Sequence, residues 1–190
     1  MAWKVSLNLC DHLSGVATKT RAIVDAAHSG NPACEVLTTR KSMPGVKDLL
    51  TKAVTCGGAF PHRLGASETV LVFDHHIIFM GGFEAFLEAL PALRGRCVEK
   101  KLFVEAGPDE ARRLSEAGVD GIQLDKLPVD DLAALVPELR AIDPHITLIA
   151  AGGINLQNAA AYAACGVDGL ATTAPFTAKP IDMSVRMKRA

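Results

Sequence analysis

The stretch Glu116-Ala-Gly-Val-Asp-Gly-Ile122 has a close echo further along the chain, Ala164-Cys-Gly-Val-Asp-Gly-Leu170. In both copies a glycine stands where a helix would end, and Val-Asp-Gly leads into an apolar run that resembles a buried strand. A repeated helix–glycine–strand unit is typical of (β/α) barrels, and it also occurs in open, doubly wound sheets. No G-x-G-x-x-G follows a predicted strand, which disfavours a dinucleotide-binding fold.

Outward from this repeat, short apolar runs alternate with helical patterns. The predicted strands are Glu35–Thr39, Val70–Phe73, Leu102–Glu105, Gly121–Leu124, Ile146–Ala151 and Gly169–Thr172. The predicted helices between them are Gly45–Cys56, Phe83–Leu90, Asp109–Ala117, Val129–Leu139 and Leu156–Cys165. This order predicts parallel β-α-β units with right-handed crossovers. Six strands are fewer than the eight of a full barrel, so we expect an irregular or incomplete, TIM-like α/β barrel.

Length and composition limit the class of protein. The chain has 190 residues, 49% of them hydrophobic, and a formal net charge of −1, which fits one domain with a well-buried core. The charge balance disfavours a nucleic-acid partner, and no apolar run reaches the ~20 residues that span a bilayer, so no membrane partner is expected. Five scattered cysteines with no C-x-x-C spacing predict reduced thiols and a cytoplasmic protein.

The two ends of the chain differ from this β/α pattern. Trp3–Ala27 has the apolar spacing of one long helix, weakened by Gly15 and ended at Ser29-Gly30. Residues 1–180 are expected to form the barrel. Ile181–Met187 alternates like a strand, and residues 181–190 are expected to pair with a domain absent from this chain, or through self-association.

Polar residues follow nearly every predicted strand, and in a β/α barrel the chemistry lies at these carboxyl ends. The residues at the ends are Arg40-Lys41, Asp74-His75, Glu105, Asp125-Lys126, Gly152-Gly153 and Thr172-Thr173. Each one alone is ordinary, but their coincidence predicts a single functional mouth.

Two basic pairs are candidate anion-binding residues. Arg40-Lys41 stands just past a strand, before a Pro-Gly turn, and His62-Arg63 lies in a loop bounded by glycines. Arginine offers a planar fork for phosphate or carboxylate, and lysine adds a point charge. A solvated basic loop and a flexible surface loop are the alternatives.

Glu105 and Asp125 end neighbouring strands, so together they are candidate ligands of Mg²⁺, or hydrogen-bond acceptors for a sugar diol. Pairing of a carboxylate with Lys126, or capping of a helix, is the structural alternative. Gly152-Gly153 follows an apolar strand and precedes a predicted helix, where free N–H groups would hold a phosphate on the helix dipole. No zinc spacing and no Ser or Cys nucleophile signature is present.

Taken in order, several motifs resemble the nicotinate-nucleotide pyrophosphorylase (quinolinate phosphoribosyltransferase) family over essentially the whole chain. They are Trp3–Asn8, Leu13–Thr18, Thr38-Thr-Arg-Lys-Ser-Met-Pro-Gly45, His62-Arg63, Asp74-His-His-Ile77, Gly121–Asp125 and Ala151-Gly-Gly-Ile154. Gln123-Leu-Asp-Lys126 and Thr172–Pro180 resemble the ModD branch of this family, which is associated with molybdenum-transport genes.

The resemblance implies transfer of a phosphoribosyl group from phosphoribosyl pyrophosphate to a nitrogen heterocycle, with Mg²⁺. It implies that the basic pairs Arg40-Lys41 and His62-Arg63 bind carboxylates and pyrophosphate, and that Gly152-Gly153 binds the 5′-phosphate. It further implies that Glu105 and Asp125 bind the ribose and the metal; the catalytic set is then Arg40, Lys41, Glu105 and Asp125. A homodimer or higher homo-oligomer is expected, because family members carry a further domain that caps the partner's barrel.

The chain departs from the family pattern at four positions. Phe73 replaces a lysine that precedes Asp-Asn-His, Lys4 replaces an arginine, Ala151 a serine and Thr173 a glycine. Lys4, Phe73, Thr172 and Thr173 therefore join the substrate-binding candidates, and quinolinate itself is put in doubt. Two other functions remain open: a barrel that binds a phosphorylated ligand without turnover, and a sugar-phosphate lyase or isomerase using Glu105 or Asp125 as base.

Overall fold

In the computed structural model, which describes residues 2–65 and 68–188, helices and strands alternate along the chain. The helices are α1 (Ala2–Gly30), α2 (Lys47–Cys56), α3 (Asp74–Phe79), α4 (Phe83–Gly95), α5 (Pro108–Glu116), α6 (Val129–Ile142) and α7 (Ala159–Ala164). The strands are β1 (Glu35–Thr38), β2 (Phe60–Pro61), β3 (Val70–Val72), β4 (Leu102–Glu105), β5 (Gly121–Asp125), β6 (Thr147–Ala151) and β7 (Gly169–Thr172). A 3₁₀ turn, Ala174–Thr177, follows β7.

All seven strands are parallel and form one sheet in the order β2-β1-β7-β6-β5-β4-β3. The sheet is curled. This follows from a small inner cluster in which Leu37 of β1 and Leu71 of β3, near opposite edges of the sheet, pack together with Phe103 and Ile149. Within the described residues β2 and β3 are not hydrogen-bonded to each other, so the barrel is incomplete. The predicted irregular barrel is confirmed, and the doubly wound alternative is excluded.

The main core lies between the outer face of the sheet and the helices. Strands β1 and β3 to β7 carry β-branched or leucine residues that are almost fully buried against helical leucines such as Leu114 and Leu139. The inner cluster covers the other face of the sheet. Burial of both faces explains why these strands are apolar runs rather than alternating ones. All five cysteines are free, and burial raises the pKa of the Cys34 thiol to about 12.

Helix α1 is longer than the barrel that it packs on. Its second half contacts both α7 and α2. The approach to α7 is especially close: a Cβ added at Gly30 would come within 2.1 Å of the Ala160 carbonyl oxygen. Lys19 Nζ donates to Thr177 Oγ1 at 2.8 Å, which marks the level of the barrel mouth on α1. Gly15 allows the 179–180 backbone to lie against the helix: a Cβ there would be 2.2 Å from the Lys179 carbonyl oxygen.

The predicted strand Ile181–Met187 is not a strand in this structure. The segment is irregular, and its backbone N–H groups at Ile181 and Met183 donate to the Asp11 carbonyl oxygen and Oδ1 at 2.9 and 3.1 Å. A lone alternating segment forms a strand only where a neighbouring strand accepts its ladder bonds, and α1 offers none. Residues 189–190 of the predicted tail lie outside the described part of the chain. No helix among the described residues is both long and apolar enough to cross a bilayer.

Candidate functional site

A cavity of about 910 Å³ opens at the carboxyl ends of the strands. It brings together nearly all of the residues singled out from the sequence: Arg40, Lys41, His62, Arg63, Phe73, Glu105, Asp125, Gly152, Gly153, Thr172 and Thr173. These residues come from six different strand ends and from the loop after β2, so the parallel topology assembles the site from the whole length of the chain.

The basic side of the cavity is built on β1 and β2. The ladder continues one residue beyond β1, where Thr39 N–H donates to the Thr172 carbonyl oxygen at 3.1 Å and Thr39 Oγ1 accepts from Lys41 N–H at 3.3 Å. His62 N–H donates to the Thr38 carbonyl oxygen at 2.8 Å, which sets His62 and Arg63 beside the same strand end. Arg40, Lys41 and Arg63 therefore share one wall.

Burial and the neighbouring positive charges lower the pKa values of His62 and Arg63. Burial first, then the charges of Arg63 and Arg40, lower the pKa of His62 to about 4, so its imidazole is neutral at ordinary pH. Burial and the charge of Arg40 also lower the pKa of Arg63. His62 Nε2 is buried and has no hydrogen-bond partner in the described structure. A bound anion would relieve the repulsion, so this wall favours phosphate or carboxylate ligands.

The acidic side is formed by Glu105 and Asp125 at the ends of the paired strands β4 and β5. Glu105 Oε2 accepts from Gln123 Nε2 at 2.5 Å, and Asp125 Oδ2 lies 3.2 Å from Lys126 Nζ. Burial raises the pKa of Glu105, the Gln123 hydrogen bond lowers it in part, and the charge of Asp125 raises it further. Both carboxylates face the same cavity.

These carboxylates do not make a metal site by themselves. No group of three or more metal-ligating side chains occurs among residues 2–65 and 68–188. Magnesium needs only one or two protein carboxylates when phosphate oxygens and water supply the remaining ligands. The pair thus fits Mg²⁺ that arrives together with a diphosphate, and not Mg²⁺ alone.

The Gly152-Gly153 loop has a backbone conformation that favours glycine at both positions. Both glycines have positive φ, +86° and +74°, which L side chains rarely adopt. Gly153 accepts side-chain hydrogen bonds from Asn155 and Asn158 on its carbonyl oxygen, at 2.9 and 3.1 Å. The loop is therefore held open toward the cavity.

One part of the phosphate prediction is wrong. The helix expected to start at Leu156 begins only at Ala159, after an asparagine-stabilised turn. Asn155 and Asn158 hydrogen-bond to the local backbone in place of a continuous helix, as these residues commonly do. The turn at 154–158 thus separates the Gly152-Gly153 loop from the first residue of α7.

The threonines at the end of β7 differ in role. Thr172 is buried; its Oγ1 donates to the Ile154 carbonyl oxygen at 2.6 Å and accepts from Ala174 N–H at 3.0 Å. Its hydroxyl thus ties β7 to the Gly-Gly loop. Thr173 lies on the cavity wall and precedes the 3₁₀ turn.

Lys4 is the exception among the predicted site residues, because it does not line the cavity. It lies in the first turn of α1, with Nζ 5.8 Å from the Trp3 ring centroid. Fifteen residues separate it from Lys19 at the mouth, roughly 22 Å along a helix that rises 1.5 Å per residue. The structure thus does not bring Lys4 to this cavity, and its substrate-binding role stays a prediction.

Two residues of the site were not among the predicted catalytic or substrate-binding residues. Gln123 is a buried polar residue in an otherwise apolar strand, and this interruption of the apolar run was the available signal. Lys126, which was placed with Asp125 at a strand end, lines the cavity. Phe73 forms an aromatic wall with His75, with ring centroids 5.5 Å apart and nearly parallel, and Arg63 Cζ lies 5.7 Å from the Phe73 ring.

Comparison with known proteins identifies relatives of this chain. Residues 16–186 match the family described as quinolinate phosphoribosyl transferase, C-terminal domain. A pyrophosphorylase named ModD from Rhodobacter capsulatus is 45% identical over 83% of this chain and 61% of the relative. A ModD protein from Pasteurella multocida is 35% identical over 99% of this chain and 67% of the relative. The chain thus spans about two thirds of the length of these relatives.

Solved structures agree with the sequence comparison. NadC from Streptococcus pyogenes superposes with a TM-score of 0.85 at 27% identity, covering 98% of this chain and 64% of that one. The nicotinate-nucleotide pyrophosphorylase from Francisella tularensis gives a TM-score of 0.82 at 30% identity, covering 94% and 61%. The incomplete barrel described above therefore matches the fold of the aligned part of these proteins.

Proposed function

The chain belongs to the quinolinate phosphoribosyl transferase family, and we propose that it is a ModD-type phosphoribosyltransferase. It transfers the phosphoribosyl group of phosphoribosyl pyrophosphate to a ring nitrogen of a heterocycle. A bond forms between that nitrogen and ribose C1, and the bond from C1 to the diphosphate oxygen breaks, with the electron pair leaving on diphosphate. The single observation that carries this proposal is the cavity in which a cationic wall faces two carboxylates.

Each wall supplies what this reaction needs. The transition state separates a cationic ribose ring from a departing diphosphate, so fixed charges of both signs stabilise it. Arg40, Lys41 and Arg63 bind the anionic groups, and the carboxylates of Glu105 and Asp125 lie close to the ribose. The Gly152-Gly153 loop binds the 5′-phosphate through its N–H groups.

Glu105 and Asp125 would hold a magnesium ion that enters with the donor, and the ion would supply positive charge to neutralise the leaving group. Neutral His62 can accept or donate one hydrogen bond at its buried Nε2 without adding charge. Because it is neutral, His62 is not a phosphate-binding cation.

The aromatic wall favours an acceptor with few charges. The Phe73 ring lines the cavity and is backed by the His75 ring stacked on it, and an aromatic ring binds a flat heterocycle by apolar and stacking contact. A second carboxylate on the acceptor would meet Phe73 without a cation of its own, and burying an unpaired charge is costly. We therefore infer that the acceptor is an uncharged or singly charged heterocycle, and that quinolinate is a poor one.

The setting of the reaction is proposed from the relatives and the composition. A small-molecule enzyme of the ModD type is expected to work in the cytoplasm in connection with molybdenum transport, without nucleic acid or membrane as partner. A homodimer or higher homo-oligomer is expected, since α1 exposes Trp3, Val5 and Leu9 beyond the barrel.

The decisive experiment is titration calorimetry with phosphoribosyl pyrophosphate, followed by assay of diphosphate release across a panel of nitrogen heterocycles. Binding of the donor, with release dependent on one heterocycle and abolished in Arg40→Ala, is the expected result. Donor binding without release from any heterocycle would favour a binding barrel. Turnover of a sugar phosphate without donor would favour a lyase or isomerase.

A further inference from the structure

Lys126, the residue after β5, has an unusual backbone. Its φ is +56°, and it is the one non-glycine residue with positive φ in the described part of the chain. Glycine and asparagine adopt this left-handed conformation readily, whereas a lysine there is strained. Strain that persists at the rim of a cavity motivates a functional hypothesis for the side chain.

The surrounding loop is adapted to this lysine. Lys126 N–H donates to the Ala151 carbonyl oxygen at 2.8 Å, so the strained residue is held in the sheet. A Cβ added at Gly152 would lie 2.5 Å from Lys126 Cγ and 2.7 Å from Lys126 N. Any residue larger than glycine at 152 would thus displace the lysine stem. Glycine at 152 thus leaves room for the side chain of Lys126, which lines the cavity.

The Lys126 ammonium group lies beside Asp125, one of the two carboxylates proposed to hold magnesium. Lys126 Nζ is 3.2 Å from Asp125 Oδ2, and the lysine side chain is 80% exposed toward the cavity that it lines. Its charge also acts on Glu105, the second carboxylate. This ammonium offsets part of the attraction that Asp125 has for a divalent cation, and it attracts a phosphate oxygen.

We propose that Lys126 is a resident cation for the donor's diphosphate, so that this chain binds diphosphate without requiring Mg²⁺. This inference rests on the proposed function. In the empty site Asp125 orients the ammonium, and on binding the ammonium bridges Asp125 and a phosphate oxygen. Magnesium can still accompany the donor, but it contributes little to affinity while Lys126 is present.

The test measures binding of inorganic pyrophosphate by calorimetry, in EDTA and in Mg²⁺. Lys126→Asn removes the charge while keeping a residue that accepts positive φ, so we expect it to fold at least as stably. Lys52→Gln, an exposed lysine on α2, is the matched control for net charge. For the original chain we expect dissociation constants within about threefold of each other in the two buffers. For Lys126→Asn we expect a loss of at least ~10-fold in EDTA that Mg²⁺ largely restores.

Each other outcome overturns the inference. Binding by the original chain only in Mg²⁺, or equal binding by Lys126→Asn in EDTA, would refute the role of Lys126 and leave the proposed transferase intact. A loss in Lys52→Gln as large as in Lys126→Asn would reduce the effect to overall charge and also refute it. Absence of pyrophosphate and donor binding in both buffers would refute the proposed function, and this inference with it.

Discussion

Replacing Phe73 by lysine tests the inferred acceptor class. Phe73 is half-buried on the cavity wall, and a lysine stem of similar length would place its ammonium in the cavity. A charge-assisted hydrogen bond to a second carboxylate contributes about 1.5–3 kcal/mol, which corresponds to roughly 10–150-fold in affinity. Loss of the contact between Arg63 and the Phe73 ring should lower the free energy of unfolding of this variant by about 0.5–1 kcal/mol.

The assay compares two acceptors by calorimetry, pyridine-2,3-dicarboxylate and pyridine-3-carboxylate, with saturating pyrophosphate present. Phe73→Lys should gain at least ~10-fold for the dicarboxylate and little for the monocarboxylate. Phe73→Met is the matched control, because it keeps an unbranched apolar chain without charge and should gain for neither. The reasoning is refuted if the original chain binds the dicarboxylate as tightly as the monocarboxylate, or if Phe73→Met gains as much as Phe73→Lys.

Three further predictions concern the cationic wall and the packing of α1. Arg40→Ala should weaken pyrophosphate binding ~10–100-fold by calorimetry, while thermal unfolding shows no loss of stability, because repulsion with Arg63 is relieved; unchanged affinity would remove Arg40 from the site. His62 has a pKa of about 4 in the folded chain against about 6.5 in the unfolded chain, so its contribution to the free energy of unfolding is complete above pH 6.5 and is lost as the pH falls toward 4. Between pH 4.5 and pH 7.5 the free energy of unfolding in urea should change by roughly 2–3 kcal/mol more in the original chain than in His62→Gln. The same pH dependence in both chains would contradict this. Gly15→Ala places a methyl against the Lys179 carbonyl oxygen, so it should cost about 1–3 kcal/mol and expose residues 179–188 to protease; Gly95→Ala, which meets nothing within 4 Å, is the control expected to fold as well or better.

Much of the fold follows from apolar runs and their punctuation. The echo around Gly118 and Gly166 correctly places two helix ends and two strands, and both glycines have positive φ as a helix-ending residue requires. Parallel strands place their carboxyl ends at the same edge of the sheet, so the residues that follow the strands can be predicted from the sequence to lie in one site.

What sequence reasoning missed has identifiable physical causes. Helix α3 is only six residues long, and Asp74–Phe79 shows too few turns for a helical period. Strand β2 has two residues and is defined by its pairing with β1 rather than by its composition. The position of Lys4 depends on how far α1 projects, and the strained backbone of Lys126 leaves no trace in local residue preferences.

The position of β1 in the sheet determines when the cavity can form. Strands β3 to β7 lie side by side in the order in which they are synthesised, so each can add to its predecessor through nearby contacts. Strand β1 instead pairs with β7, the last strand, with Glu35 opposite Gly169. Closing so long a loop is slow. During synthesis the basic loop after β1 therefore cannot take its place beside β7 until residues 169–172 have been made, so the cationic and acidic walls cannot face each other before then.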